Sequence, residues 1–127
     1  MGSSTRTTQW PVGIRLFNRP DYARSFFESL KKQSVTIDPH RTVCFIDGYA
    51  KSSDYFQKVP DRTAEVAQVV REYLPDAQII QLEKNVGLAK ALYLLQQEVF
   101  NFSNSDWGIF LEDDLVLDAT YIEVIER

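Results

Sequence analysis

Trp107-Gly108-Ile109-Phe110-Leu111-Glu112-Asp113-Asp114-Leu115-Val116-Leu117 is a short apolar run that ends in three consecutive carboxylates and then turns apolar again. The run has the length and composition of a buried strand. Neighbouring carboxylates repel one another and prefer water, so three at the tip of a buried strand are unfavourable unless something compensates. A bound cation is one compensation. A solvated acidic turn before a helix is the other, because the helix dipole favours Asp at its start. On the triplet alone the two readings stand level, and the position after a buried strand favours the cation. In extended backbone Glu112 and Asp114 share one face and Asp113 takes the other unless the chain turns. Mg²⁺ and Mn²⁺ take oxygen ligands, commonly one or two carboxylates with substrate phosphates and water.

Upstream of this stretch, strand and helix patterns alternate. Residues 11–17 (PVGIRLF) read as a strand that runs into Asn18-Arg19-Pro20, where the proline suits a first helical position. Tyr22, Phe26, Phe27 and Leu30 then recur at helical spacing, which marks them as the core face of a first helix. Residues 42–46 (TVCFI) form a second strand stopping at Asp47-Gly48, and a polar loop follows over residues 49–61. Val66, Val69, Val70, Tyr73 and Leu74 mark a second helix closed by Pro75. Residues 77–82 (AQIIQL) are a third strand, and Leu88, Ala91, Leu92, Leu95 and Val99 give a third helix. A fourth helix begins after Asp118. The alternation predicts a Rossmann-like three-layer α/β/α fold with a mostly parallel sheet and right-handed crossovers. Residues 1–9 are expected to be a disordered leader and residues 10–127 one domain.

Composition narrows the function classes. With 127 residues there is room for one domain with a real core. The net charge of −4 argues against nucleic acid or an anionic membrane held by bulk charge. The single cysteine, Cys44, lies in an apolar run and builds neither a disulfide framework nor a zinc site. No apolar stretch reaches the roughly 20 residues of a membrane span, and the start lacks the apolar middle of a signal peptide, so a cytoplasmic setting is expected. There is no P-loop, dinucleotide Gly-x-Gly-x-x-Gly or Gly-x-Ser-x-Gly elbow, and no serine or cysteine has a neighbouring histidine base.

In parallel α/β sheets, ligands bind at the carboxyl ends of the strands, near the point where strand order reverses. Four such ends here carry polar residues or glycine: Asn18 and Arg19; Asp47 and Gly48; Asn85 and Gly87; Glu112, Asp113 and Asp114. A turn alone accounts for Asn, Asp or Gly at any one of the first three, and the acidic triplet is the exception because a turn needs only one Asp. Asn85-Val86-Gly87-Leu88-Ala89-Lys90 opens a helix whose free N–H groups can receive an anion, although ordinary capping by Asn85, with Gly87 for the turn, is by itself the favoured reading. Arg19, Lys84 and Lys90 can neutralise phosphate.

Leu16-Phe17-Asn18-Arg19-Pro20, Phe45-Ile46-Asp47-Gly48, the Lys84-to-Lys90 segment and Leu111-Glu112-Asp113-Asp114-Leu115, in that order and spacing, resemble the nucleotide-sugar-binding half of GT-A glycosyltransferases. The likeness is nearest to family-2-like enzymes and to the N-acetylglucosaminyltransferase I type, whose Asp-x-Asp motif takes the Glu-Asp-Asp form. The resemblance implies transfer of a sugar from a nucleotide-diphosphate sugar to a glycan, lipid or protein acceptor, assisted by Mn²⁺ or Mg²⁺. It implies that Asn18 and Arg19 line the nucleotide end of the cleft and that Asp47 contacts the base or ribose. Asn85, Gly87 and Lys90 would border the nucleotide and diphosphate, Glu112 and Asp113 would face the ribose and sugar, and Asp114 would bind the metal. Family-2 enzymes often carry Arg-Asn shortly after the Asn-x-Gly, where this chain has Leu92-Tyr93. A complete GT-A domain continues well past the Asp-x-Asp, so the chain is expected to be the donor-binding half, without the acceptor site or catalytic base. The alternative expectation is a non-catalytic α/β module that keeps the fold and serves in assembly, for example as a homo-oligomer.

Overall fold

The computed structural model describes residues 6–126. Chain order is β1 (Arg6–Thr7), β2 (Val12–Leu16), α1 (Pro20–Lys31), β3 (Val35–Thr36), a 3₁₀ turn (Pro39–Arg41), β4 (Thr42–Ile46), α2 (Ser53–Phe56), α3 (Thr63–Tyr73), β5 (Gln78–Gln81), α4 (Leu88–Ser103), β6 (Ile109–Glu112) and α5 (Tyr121–Ile125). The main sheet has four strands in the order β5-β4-β2-β6, and every pairing is parallel. The four strands and four longer helices expected from the apolar periodicity are all present.

Both faces of the sheet are covered, which is why β4 is buried along its whole length. Its side chains alternate between the faces. Cys44 and Ile46 join Val12, Ile14 and Leu16 of β2 in the larger core, against Phe26, Phe27 and Leu30 of α1 and Val66 and Val70 of α3. Val43 and Phe45 point the other way and pack on Ala91, Leu95 and Val99 of α4. The helices thus form the outer layers of the α/β/α arrangement. Gly13 lets α4 lie close, since a Cβ there would come within 3.0 Å of Leu95 and Val99 and 2.9 Å of Phe110. Burial pushes the Cys44 thiol up to about 12, so it behaves as an inert core residue.

Two expectations are corrected. Residues 1–5 of the expected leader lie outside the described residues, but Arg6–Thr7 is strand β1, paired in parallel with β3. Thr8 N–H donates to the Thr36 carbonyl at 2.8 Å, and Arg6 ion-pairs with Glu126, so backbone and side-chain partners hold this segment. Tyr22 is not core. Ala23, Phe26, Phe27 and Leu30 make the buried stripe of α1, while Tyr22, in its first turn, is half exposed with the Arg19 guanidinium 4.8 Å from its ring centre.

At the amino ends of the strands, Trp10 and Trp107 stack with ring centres 6.3 Å apart, just before β2 and β6. At the far end of α1, the buried Gln33 accepts from the Ile122 N–H at 3.0 Å and donates to the Asp118 carbonyl. Those bonds fix the chain after β6 onto α1.

Candidate functional site

Because all four strands run the same way, their carboxyl ends share one rim. β2, β4 and β5 are added successively in one direction, and β6 then lies on the other side of β2. The order therefore reverses between β2 and β6, which is where an open α/β sheet leaves a crevice. Asn18 and Arg19 stand on one side of that point and Glu112, Asp113 and Asp114 on the other.

Three buried polar residues build the rim. Asp47 follows β4 and is fully buried. One carboxylate oxygen accepts from Gly48 N–H at 2.7 Å and Val86 N–H at 3.1 Å, and the other accepts from Asn85 Nδ2 at 3.1 Å. Asn85 also donates to the Gly48 carbonyl at 3.1 Å and accepts from Gly87 N–H at 3.0 Å. This knot locks the end of β4 to the start of α4. Gly48 is required there because a Cβ would sit 2.2 Å from the Lys84 carbonyl carbon. Gly87 has φ +84° with open space beside it, so its role is conformational.

Asn18 holds the loop after β4. Its Nδ2 donates to Asp54 Oδ2 at 3.0 Å and to the Pro60 carbonyl at 2.9 Å, and its Oδ1 accepts from the Arg62 N–H. Asp113 does the same for β6. Its Oδ2 accepts from Phe17 N–H at 3.3 Å, and its Oδ1 lies 3.6 Å from the Arg19 guanidinium. Its own N–H donates to the Arg15 carbonyl at 3.2 Å. Burial nevertheless raises the Asp113 carboxyl above the ordinary range, against the lowering effects of Arg19, the Phe17 N–H and Arg15. Asp113 is thus directed inward and engaged by protein.

Asp114 is exposed at the turn and Glu112 is partly exposed. Asp113, Asp114, Tyr22, Ser25, Leu115 and Val116 line a cleft of about 270 Å³. Lys84 is exposed, and Lys90 is exposed on the first turn of α4, where no side chain caps the free N–H groups. The fold therefore ties Asp47 to Asn85 and Gly87, and Arg19 to Asp113, while Asp114 and Lys90 remain directed to solvent. A larger concavity of about 490 Å³ lies away from this rim, between α1 and α3.

Among the described residues, no group of three or more His, Cys, Asp or Glu is placed to hold a metal by itself. A closed protein cage is therefore absent there.

Sequence reasoning missed Arg15. Its signal was a charged residue inside the otherwise apolar run Pro11-Val12-Gly13-Ile14-Arg15-Leu16-Phe17. It also missed Asp54 and Ser25, whose roles depend on contacts distant in the chain.

A parallel sheet of this order, with its polar ends gathered about the reversal between β2 and β6, defines a Rossmann-like ligand-binding domain of the GT-A type. The chain belongs to glycosyl transferase family 2, whose model matches residues 12–126. At family level this is glycosyl transfer. The match carries the family-2 part of the resemblance and not the N-acetylglucosaminyltransferase I type. No curated protein matches the chain. No helix among the described residues is long and apolar enough to cross a membrane.

Proposed function

We propose that this domain binds the nucleotide-diphosphate sugar of a metal-assisted glycosyl transfer across the carboxyl rim of its sheet. The observation that carries the reading is the division of labour among the acids. Asp47 and Asp113 are buried and committed to protein partners, whereas Asp114 stands free at the strand reversal. In this reading Asn18, Asp47, Asn85 and Asp113 shape the crevice and keep the strand ends in place. Arg19, Lys90 and the start of α4 at Gly87 face the diphosphate. Asp114 holds Mn²⁺ or Mg²⁺ together with donor oxygens, and Glu112 faces the ribose and sugar. When bound, the ion neutralises the charge that develops on the departing nucleoside diphosphate.

The test is calorimetric titration of the full-length protein with UDP, GDP and their sugars, with and without Mn²⁺. Binding is expected to depend on the metal, and Asp114→Ala is expected to weaken it at least about tenfold, the loss of one charge-assisted ligand. Metal-independent binding, or binding unchanged in Asp114→Ala, overturns the reading.

A further inference from the structure

Arg15 occupies the next-to-last position of the central strand, directly below the acidic turn: its carbonyl receives the Asp113 N–H at 3.2 Å. Its register neighbours are Phe45 on β4 and Glu112 on β6. It shares the α4-facing side of β2 with Gly13, and it is the one residue of that strand that is only partly buried. A buried N–H is unfavourable unless its hydrogen bond is made. Arg15 Nε is buried and has no hydrogen-bond partner, the sole buried side-chain nitrogen or oxygen among the described residues in that position. Nor do Arg15 and Glu112 close an ion pair across the two strands. Buried donors are nearly always satisfied, and an unsatisfied one calls for a reason.

We infer that Arg15 is an anion-recognising residue of the donor site, its Nε left without a partner in the protein and its guanidinium available to the phosphate oxygens of the bound nucleoside diphosphate. This rests on the proposed function and adds a residue to that site. The chemistry selects phosphate. A planar guanidinium offers paired donors that match phosphate oxygens, cannot lose its charge, and is weakly hydrated enough to be held partly buried. An arginine kept for the fold alone would have its donors satisfied within the fold. Arg15 also supplies positive charge on the inner side of a turn whose exposed carboxylates repel an incoming diphosphate.

The test uses the full-length protein with Mn²⁺, titrated with UDP, UMP and uridine and with the matching guanosine series. Arg15→Met and Arg15→Lys are each expected to lose about tenfold or more in nucleoside diphosphate affinity, with nucleoside binding unchanged. Arg15→Met is also expected to melt at or above the wild-type temperature, because it removes an unsatisfied buried donor while keeping an unbranched side chain. A purely structural arginine gives the opposite pair of results, a lower melting temperature with unchanged affinity. That outcome, or a parallel loss of nucleoside binding, overturns the inference. If wild type binds nucleoside diphosphate and the variants bind it equally, this inference alone falls. If wild type binds none of the probes, the proposed function falls with it.

Discussion

Asp47 and Asp113 show how one residue type at equivalent strand ends can be held in different ways. Asp47 is satisfied by two backbone N–H groups and an amide. Asp47→Ala would leave those donors without their acceptor, and a loss of about 2–4 kcal/mol is expected in denaturant unfolding. Asp113 has a weaker set of partners, and burial leaves its carboxyl raised. A raised carboxyl favours the protonated form in the folded state, so its contribution to folding is greatest in acid and declines as pH rises through the raised value. Measured against Asp113→Asn, which does not titrate, wild-type stability is expected to fall as pH rises from about 4 toward neutrality. Equal pH profiles for the two proteins would show that burial does not govern Asp113. Residue types at the rim were legible in the sequence, because turn-forming and acidic residues stand out after apolar runs. The direction each carboxylate turns was not. It depends on Phe17, Arg19 and Val86, which are brought to those acids by the sheet and not by local spacing.

At the scale of elements, the turns at the strand ends depend on two glycines for unlike reasons. Gly48 faces backbone, with a would-be Cβ 2.2 Å from the Lys84 carbonyl carbon. Gly48→Ala must push β4 and the segment before α4 apart, and a loss of more than about 3 kcal/mol is expected, with a lower melting temperature. Gly87 has room for a side chain but sits at φ +84°. Gly87→Ala is expected to cost only about 1–2 kcal/mol, from backbone conformation alone. Similar losses in the two variants would contradict the distinction. The Asn18 side chain ties down three positions of the loop after β4, so Asn18→Ala is expected to speed amide exchange across residues 54–62 while leaving that of β2 and β4 unchanged. The longer elements were legible because Phe26, Phe27 and Leu30, or Ala91, Leu95 and Val99, repeat over several turns. β1, β3 and α2 were not. Two to four residues carry no period, and Arg6–Thr7 becomes a strand only because Val35–Thr36 lies alongside.

For the whole molecule, alternation of strand and helix foretold parallel pairing but left the strand order open. That order puts β2 between β4 and β6, so the rim is assembled from residues far apart in sequence, such as Phe17 and Asp113. β2 and β4 lie within the first 46 residues, whereas β6 begins at Ile109, so β2 remains an open edge until the last strand docks. The stacked pair at the opposite end of these strands gives that event an optical signature. Trp10 and Trp107 are the two tryptophans of the chain, and they meet only when β6 lies beside β2. Near-ultraviolet dichroism of the stacked pair during refolding therefore times the closing of the sheet, whereas indole emission also senses the packing of Trp10 on the larger core. The same dichroism should barely change when a ligand fills the carboxyl rim, since both indoles stand at the amino ends, leaving an optical record of assembly that occupancy does not confound.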